Sequence, residues 1–577
     1  MKPISELRFN EVSFKKSHAA QDVKKSIYQQ LTPYLDEVGQ CNCRGLEFDI
    51  HYDAEAQDCI DSFKVYHDEG DKEEAKPLAD YLKQLAFWHS KNPQHHIVFI
   101  NIDLKNDMPE ADYSCQIDKY IENFLEPTLI FRPSCIDTAG DNLAPYIAEN
   151  GWPTLADMGS RFIFCITGTN KPHYATLDPQ SRCCFAEGVM SMEGPSDDNQ
   201  HIVFFNMQVH GEKDGTDKWD RVPQKYQAKN LITRTFKNNK ARNWLASVAC
   251  GVNILDTQKV SGSDWTQISP KFDSYAPRSF INWDEKKGTR YDDGKAPSIA
   301  IKDGIIVGVS NNLDNRNMQY VIGKISNDSS SIDGFVGEGT QYDTGHDPAV
   351  AILSSEFVIE IHSDQKEQQL HYNVGQFDTQ NPTKIDWFSK GTECGSGNHP
   401  AITLSKSGKI IITYHSSNKD KLCYKVGEFN YDTHTVNWLI EEKAYDTGKM
   451  PSIAITETNK LVEVHSNRAE KELYYCLGKL DEEHNNINWY SIGNKYGNGK
   501  NPSVAIMSSG NIVEIHQDGS GLCYNIGSLE QSIYWSSNGV EYDQGEQPAV
   551  ATGSNGMIVD VHTGGNGLFY NKGRGYS

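Results

Sequence analysis

Short apolar runs closed by polar residues recur through the first half of the chain, at Val12–Ser17, Gly45–Ile50, Phe63–Tyr66, His96–Asp103, Arg161–Ile166, His201–Phe205, Asn230–Thr233 and Gly251–Leu255. Between several of them the apolar period lengthens to that of a helix, as in Asp22–Glu37, where Val23, Ile27, Leu31 and Leu35 share one face, and in Pro77–His89. Eight strands with helices in most of the gaps predict a (β/α)8 barrel of the TIM type.

The second half repeats itself. Tyr-Asp-x-Gly-x-x-Pro begins at Tyr291, Tyr342, Tyr445 and Tyr542, with weaker copies at Cys394 and Tyr496. Each copy is followed by an apolar strand, a strand such as Ile512–His516, one such as Leu522–Ile526, and a short strand ending in Trp, as at Trp387, Trp438, Trp489 and Trp535. Four short strands per repeat make a propeller blade, and six repeats make a six-bladed β-propeller. The last repeat lacks its Trp strand, while Ile281-Asn-Trp283 stands ahead of the first repeat with no blade of its own. The orphan strand is therefore expected to complete the last blade, beside Leu568–Tyr570, and so close the ring. The domains are expected at residues 1–270 and 276–577, joined by a loop-like stretch near 268–280.

Polar residues at the predicted strand ends carry the chemistry. His18 follows the first strand, Glu47 and Asp49 share one face of the second, His67 follows the third and Asp103 ends the fourth. Catalytic groups of barrel enzymes sit at strand C-termini, so this spread reads as a site built from several loops. Either histidine alone, or Glu-x-Asp alone, is more often an ordinary packing or solvated feature. Together they are harder to dismiss, because several buried carboxylates require a compensating cation.

The ordered series Ser17-His18, Arg44-Gly-Leu-Glu-Phe-Asp49, Val65-Tyr-His67 and Asn101-Ile-Asp-Leu-Lys105 resembles the opening of calcium-dependent phosphatidylinositol-specific phospholipases C. The resemblance continues through Gly151–Leu155, Ile232–Thr235 and Ile254–Thr257. It implies phosphodiester cleavage in which the inositol 2-hydroxyl attacks phosphorus, releasing diacylglycerol and leaving a cyclic inositol phosphate. It assigns acid and base work to His18 and His67, a Ca2+ ion to Glu47, Asp49 and Asp103, and phosphate or inositol contacts to Lys105 and Arg234. The chain departs from the pattern at Ala19, where relatives commonly carry an Asn at or beside the metal. His-Arg-Gly and Glu-Asn-Thr, usual in glycerophosphodiesterases, are absent.

In the repeats a carboxylate and a histidine share a strand face at Glu360/His362, Glu463/His465, Glu514/His516 and Asp560/His562. With Tyr372, Tyr424, Tyr475, Tyr524 and Tyr570 they are expected to tie neighbouring blades; lectin-like sugar pockets are the alternative.

Composition narrows the partners. A formal net charge of −23 disfavours nucleic acid, and no apolar run has the length of a membrane span. Thirteen cysteines, an odd number with no zinc-finger spacing, fit reduced thiols. No secretory segment follows Met1, which leaves a cytoplasmic location and a non-classical release both open for a soluble protein. Two function classes remain: a phosphodiesterase acting on an inositol phospholipid at a membrane surface, with a propeller that targets it to a glycan or surface, and a lectin-like binding protein with an inactive barrel. A sphingomyelinase D-like or glycerophosphodiesterase-like specificity is a third.

Overall fold

The structure is a computed structural model. It describes the chain except residues 1–2, 33–40, 106–112, 137–141, 169–173, 175, 178–179, 197–199, 209–221, 262–265, 267–274, 285–287, 313–315, 327–330, 382, 389, 530 and 577. Two compact units emerge, Met1–Phe280 and Ile281–Ser577. Most of the expected loop-like joint lies outside the described residues.

In the first unit, eight parallel strands among the described residues close into a barrel in sequence order: β1 (Val12–Ser17), β2 (Gly45–Tyr52), β3 (Val98–Leu104), β4 (Phe162–Gly168), β5 (Phe185–Val189), β6 (Phe204–Gln208), β7 (Ile232–Phe236) and β8 (Ile254–Thr257). The pairing of β1 with both β8 and β2 seals it. Two sequence expectations need correction. The Phe63 run is not a barrel strand; Phe63–Val65 pairs antiparallel with the end of β2 as a hairpin. The eighth barrel strand is instead β5, whose apolar run is interrupted by Glu187 and Gly188.

The inward residues of the strands form layers. Phe14, Phe99, Phe185 and Phe204 make an aromatic floor, with ring centroids 5.3 Å apart for Phe99–Phe204 and for Phe185–Phe204. One pleat further along lie Lys16, Glu47, Asn101, Glu187, Asn206, Arg234 and Asp256, all buried. Another pleat on, Asp49 and Asp103 stand opposite each other across β2 and β3. The floor supplies apolar burial, and the polar layer must satisfy its own charges.

Of the expected helices, Pro77–His89 is α2, here Leu78–Lys91, which buries Leu78, Leu82, Leu85 and Trp88 along one stripe. The expected Asp22–Glu37 helix reduces to α1, Ile27–Leu31, and residues 33–40 lie outside the described ones. A capping box between Ser26 and Gln29 starts α1 there.

The second unit consists of six antiparallel sheets among the described residues. We number the blades from the first repeat, so that blade 1 opens with Lys295–Lys302 and blade 6 with Glu546–Thr552. Phe280–Trp283 pairs with Gly567–Tyr576 and completes blade 6, as the orphan strand requires. Trp283 then does what Trp387, Trp489 and Trp535 do in their blades. It stacks on Tyr542 of blade 5 at 4.5 Å and 14°, matching Tyr342–Trp387 at 4.7 Å and Tyr445–Trp489 at 4.7 Å. Ile281 N–H also donates to the Tyr524 hydroxyl at 3.3 Å, as Val436 N–H does to Tyr372 at 3.2 Å.

The repeated polar pairs are buried ties between blades. Asp343, on the edge strand of blade 1, accepts from Asn373 of blade 2 at 3.0 Å, and Asn373 also donates to Glu360 at 2.9 Å. Blades 5 and 6 repeat this through Asp543, Asn571 and Asp560. Each blade's inner strand opens with a residue in the left-handed region just before a proline: Ala296, Asp347, His399, Met450, Asn501 and Gln547, at φ between 49° and 54°. A β-bulge follows in every case. Together they rim a cavity of about 200 Å³ on the ring axis.

Candidate active site

Sequence places a lysine in the polar layer because it alternates: Phe14, Lys16 and His18 fall on one face of β1. Gly45 of β2 makes room for the lysine stem, since a Cβ there would come within 2.8 Å of Lys16 Cβ. Lys16 Nζ then bonds Glu47 and, at 2.6 Å, Asp256 Oδ2. Arg234 grips Glu187 with two parallel bonds, Nε to Oε1 at 2.7 Å and Nη2 to Oε2 at 2.6 Å. Its Nη1 donates to Asp256 at 2.7 Å and lies 3.3 Å from Glu47. Asn206 donates to Glu187 at 2.7 Å. A three-carboxylate, two-cation network thus fills the barrel interior, and its bidentate geometry satisfies buried charges that would otherwise be costly.

His18 stands on top of this network at the end of β1. Its Nδ1 lies 2.8 Å from Glu47 Oε1 and 3.2 Å from Asp256 Oδ1, and its side chain is 18% exposed. Burial alone would lower its pKa, but the Asp256 and Glu47 carboxylates outweigh that and raise it to about 10. The ring is held as an imidazolium, oriented through Nδ1. Glu47 is correspondingly held well below the ordinary carboxylate range: burial would raise it, and Lys16, His18 and Arg234 prevail.

Asp49 and Asp103 form a separate group. Lys105 Nζ bridges them, 2.8 Å from Asp49 Oδ1 and 2.5 Å from Asp103 Oδ2. Gln21 Nε2 donates to Asp49 Oδ2 at 2.6 Å, while Gln21 Oε1 is buried without a partner. Burial holds Asp103 above its ordinary pKa despite Lys105, with Glu47 and Asp49 adding to the rise. His67 is exposed (44%) beyond the hairpin strand, its Nδ1 3.3 Å from Asp68. It shares this mouth with Asp22, whose carboxyl is raised by burial and Asp49 and lowered by His67. The bond from Tyr66 N–H to Asp49 O, and the stack of Tyr66 on His51 at 3.7 Å, fix the chain that carries His67.

The sequence-predicted residues therefore fall into two groups. Glu47 and Arg234 belong with His18 to the lower network; Asp49, Asp103 and Lys105 form the upper one. The ligand-type group that comes within 4.8 Å of itself here is His18, Glu47 and Asp256. Lys16, Gln21, Glu187 and Asp256 escaped the sequence reading. Lys16 and Asp256 were visible as charged residues on the same strand faces as His18 and within Ile254–Thr257.

For calcium, Asp49 and Asp103 present hard oxygens at the mouth, and the orphaned Gln21 Oε1 supplies a third donor two residues beyond Ala19. These three fit the ion. The oxygens of Glu47, the third expected ligand, lie against Lys16, His18 and Arg234.

Residues 51–197 match the family model described as phosphoinositide phospholipase C, Ca2+-dependent. No curated protein matches the chain. Similar solved structures include a calcium-dependent phosphoinositol-specific phospholipase C from a Gram-negative bacterium, Pseudomonas sp, at 16% identity and TM-score 0.38, covering 48% of this chain and 98% of that one. The corresponding enzyme from Streptomyces antibioticus gives 15% identity and TM-score 0.36, covering 47% and 99%. A GH93 α-L-arabinofuranosidase of Fusarium graminearum, in complex with arabinobiose, gives 15% and 0.33, covering 51% and 98%.

Proposed function

We propose that this chain, a phosphoinositide phospholipase C-like phosphodiesterase by the family match of its barrel, cleaves phosphatidylinositol or its glycosylated form at a membrane surface. The observation that carries the reading is His18, an imidazole fixed through Nδ1 by Glu47 and Asp256 at the mouth of an eight-stranded parallel barrel. A cation held so firmly suits donation to a phosphoryl oxygen or to the departing oxygen, better than proton abstraction.

His67 is then the base. It takes the proton of the inositol 2-hydroxyl as that oxygen bonds to phosphorus; the bond to the diacylglycerol oxygen breaks, and His18 protonates the leaving group. Diacylglycerol and a cyclic inositol phosphate result, with every proton accounted for. A calcium ion held by Asp49, Asp103 and Gln21 would neutralise charge on the phosphate when bound. Lys105, released from the two carboxylates, then faces the same phosphate as a point charge. Arg234 is assigned to the scaffold that supports His18.

The propeller is assigned to surface engagement. What supports this is an aromatic cluster with Phe388 and Tyr431 exposed at 43% and 59%, where Phe388 stacks on His434 at 4.0 Å. The buried Glu/His pairs give sugar pockets no support. No helix among the described residues is long and apolar enough to cross a membrane. The test is incubation of the full chain with phosphatidylinositol vesicles, with calcium and with chelator. Cyclic inositol phosphate released only with calcium is the expected result; no product under either condition would leave a binding protein with an inactive barrel.

A further inference from the structure

The tie between blades 3 and 4 differs from those of blades 1 and 2 and of blades 5 and 6 in one residue. In blades 2 and 6 the group facing the interblade aspartate is an amide, Asn373 or Asn571. In blade 4 the same position holds Cys476, whose Sγ lies 3.2 Å from Asp446 Oδ2 on the edge strand of blade 3. His465 Nε2 lies 3.7 Å from the same oxygen. His465 and Cys476 are buried, and the three ligand atoms all lie within 4.8 Å of one another.

We propose that Asp446, His465 and Cys476 form a mononuclear zinc site that cross-links blades 3 and 4. Tetrahedral zinc, with Zn–S of about 2.3 Å and Zn–N and Zn–O of about 2.0 Å, sets its ligands roughly 3.3–3.5 Å apart. The two spacings to Asp446, 3.2 and 3.7 Å, bracket that value, and Cys476 Sγ lies within 4.8 Å of the His465 nitrogen. The outer partner is one that the sister blades share: Glu463 Oε2 lies 3.0 Å from His465 Nδ1, which fixes the tautomer and leaves Nε2 to face an ion, and in blade 4 alone of these a thiol stands opposite. Thiolate, imidazole and carboxylate together select zinc over the hard cations calcium and magnesium.

Without metal, burial and the nearby Glu463 and Asp446 push the Cys476 thiol up, so it stays protonated and donates to Asp446. Zinc displaces that proton to solvent, together with the Nε2 proton wherever His465 is charged. No electron moves. Water completes the fourth position on the side where Asp446 is 15% exposed.

The test uses the reduced full-length protein, loaded with zinc, passed through a weak chelator and assayed for bound metal. One zinc per chain is expected in the wild type and none in Cys476→Asn, a change that copies the two sister blades and so preserves the fold. Glu463→Gln should weaken zinc binding by about 10–100-fold. Cobalt substitution should give a thiolate-to-metal absorption band that disappears in Cys476→Asn and survives Cys183→Ser with Cys184→Ser, which removes the two adjacent buried thiols beside Asp118 in the first unit. Should Cys476→Asn fail to fold, Asp446→Asn provides the same comparison. A wild type that retains no zinc, or a zinc count and cobalt band unchanged by these substitutions, would overturn the site.

Discussion

Gln21 donates its Nε2–H to Asp49 Oδ2 at 2.6 Å while its own Oε1 is buried without a partner. In the proposed calcium site that oxygen is a ready donor, and Lys105 holds the two carboxylates beside it. Lys105→Met should therefore destabilise the barrel in chelator, because two largely buried carboxylates lose their counter-charge. Calcium should restore it, with a midpoint about tenfold lower than in the wild type, worth ~1.4 kcal/mol. Thermal melts across a calcium titration check this without an activity assay. An equal calcium response in both proteins would exclude Asp49 and Asp103 as ligands.

Removing either histidine should cost turnover while the barrel still folds. We expect His18→Ala and His67→Ala each to lower kcat by roughly 10²–10⁴-fold, with far-UV spectra that keep the wild-type form. Wild-type turnover in one of them would remove that residue from the mechanism.

His18 also gives the barrel a pH signature. Its pKa is raised on folding, from 6.5 to about 10, so the stability it contributes is fully present below pH 6.5 and disappears as pH rises through about 10. The stability gap between wild type and His18→Gln should thus be widest at pH 6 and close towards pH 10. Urea unfolding at the two pH values measures it, and a gap that widens with pH would contradict the imidazolium.

Arg234→Lys keeps the charge but cannot make the paired bonds to Glu187. Because a broken buried ion network costs about 3–5 kcal/mol, this variant should melt well below the wild type. Its KM for phosphatidylinositol should barely change. A raised KM with an unchanged melting temperature would return Arg234 to the substrate.

Trp283 closes the propeller through its stack on Tyr542, and Trp283→Ala should cost about 3–5 kcal/mol. Because the shared blade joins both ends of the ring, deleting residues 276–284 should lower hydrogen-exchange protection across all six blades together. Loss confined to blade 6 would show that the ring does not depend on its closure.

The repeats were readable because a 46–52-residue period survives in the same turn and Trp positions. The barrel was harder. Pattern recognition rewards unbroken apolar runs, so the hairpin strand Phe63–Val65 looked like a barrel member and β5 did not. The polar layer is the physical reason: a barrel that carries Glu187 inside must interrupt its own apolar pattern. Lys16 was hidden for the same cause, since a lysine in a strand ordinarily marks solvent, and only Gly45 on the next strand betrays that it points inward. His18, His67 and the Asp49/Asp103 pair lie at strand or hairpin ends, where polarity is expected, and were legible there.

The six left-handed residues around the propeller axis share one backbone and no side chain: alanine, aspartate, histidine, methionine, asparagine and glutamine. Bulge and proline carry the conformation, and the side chains are left to tie neighbouring positions, as Asp347 does with His399 at 3.0 Å and Gln547 with the Ala296 N–H at 3.1 Å. The ring is six-fold in its peptide groups and without rotational symmetry in its chemistry. Anything that meets this rim meets it in a single orientation, and an exchange at one position retunes its own sector of the mouth together with the neighbour tied to it.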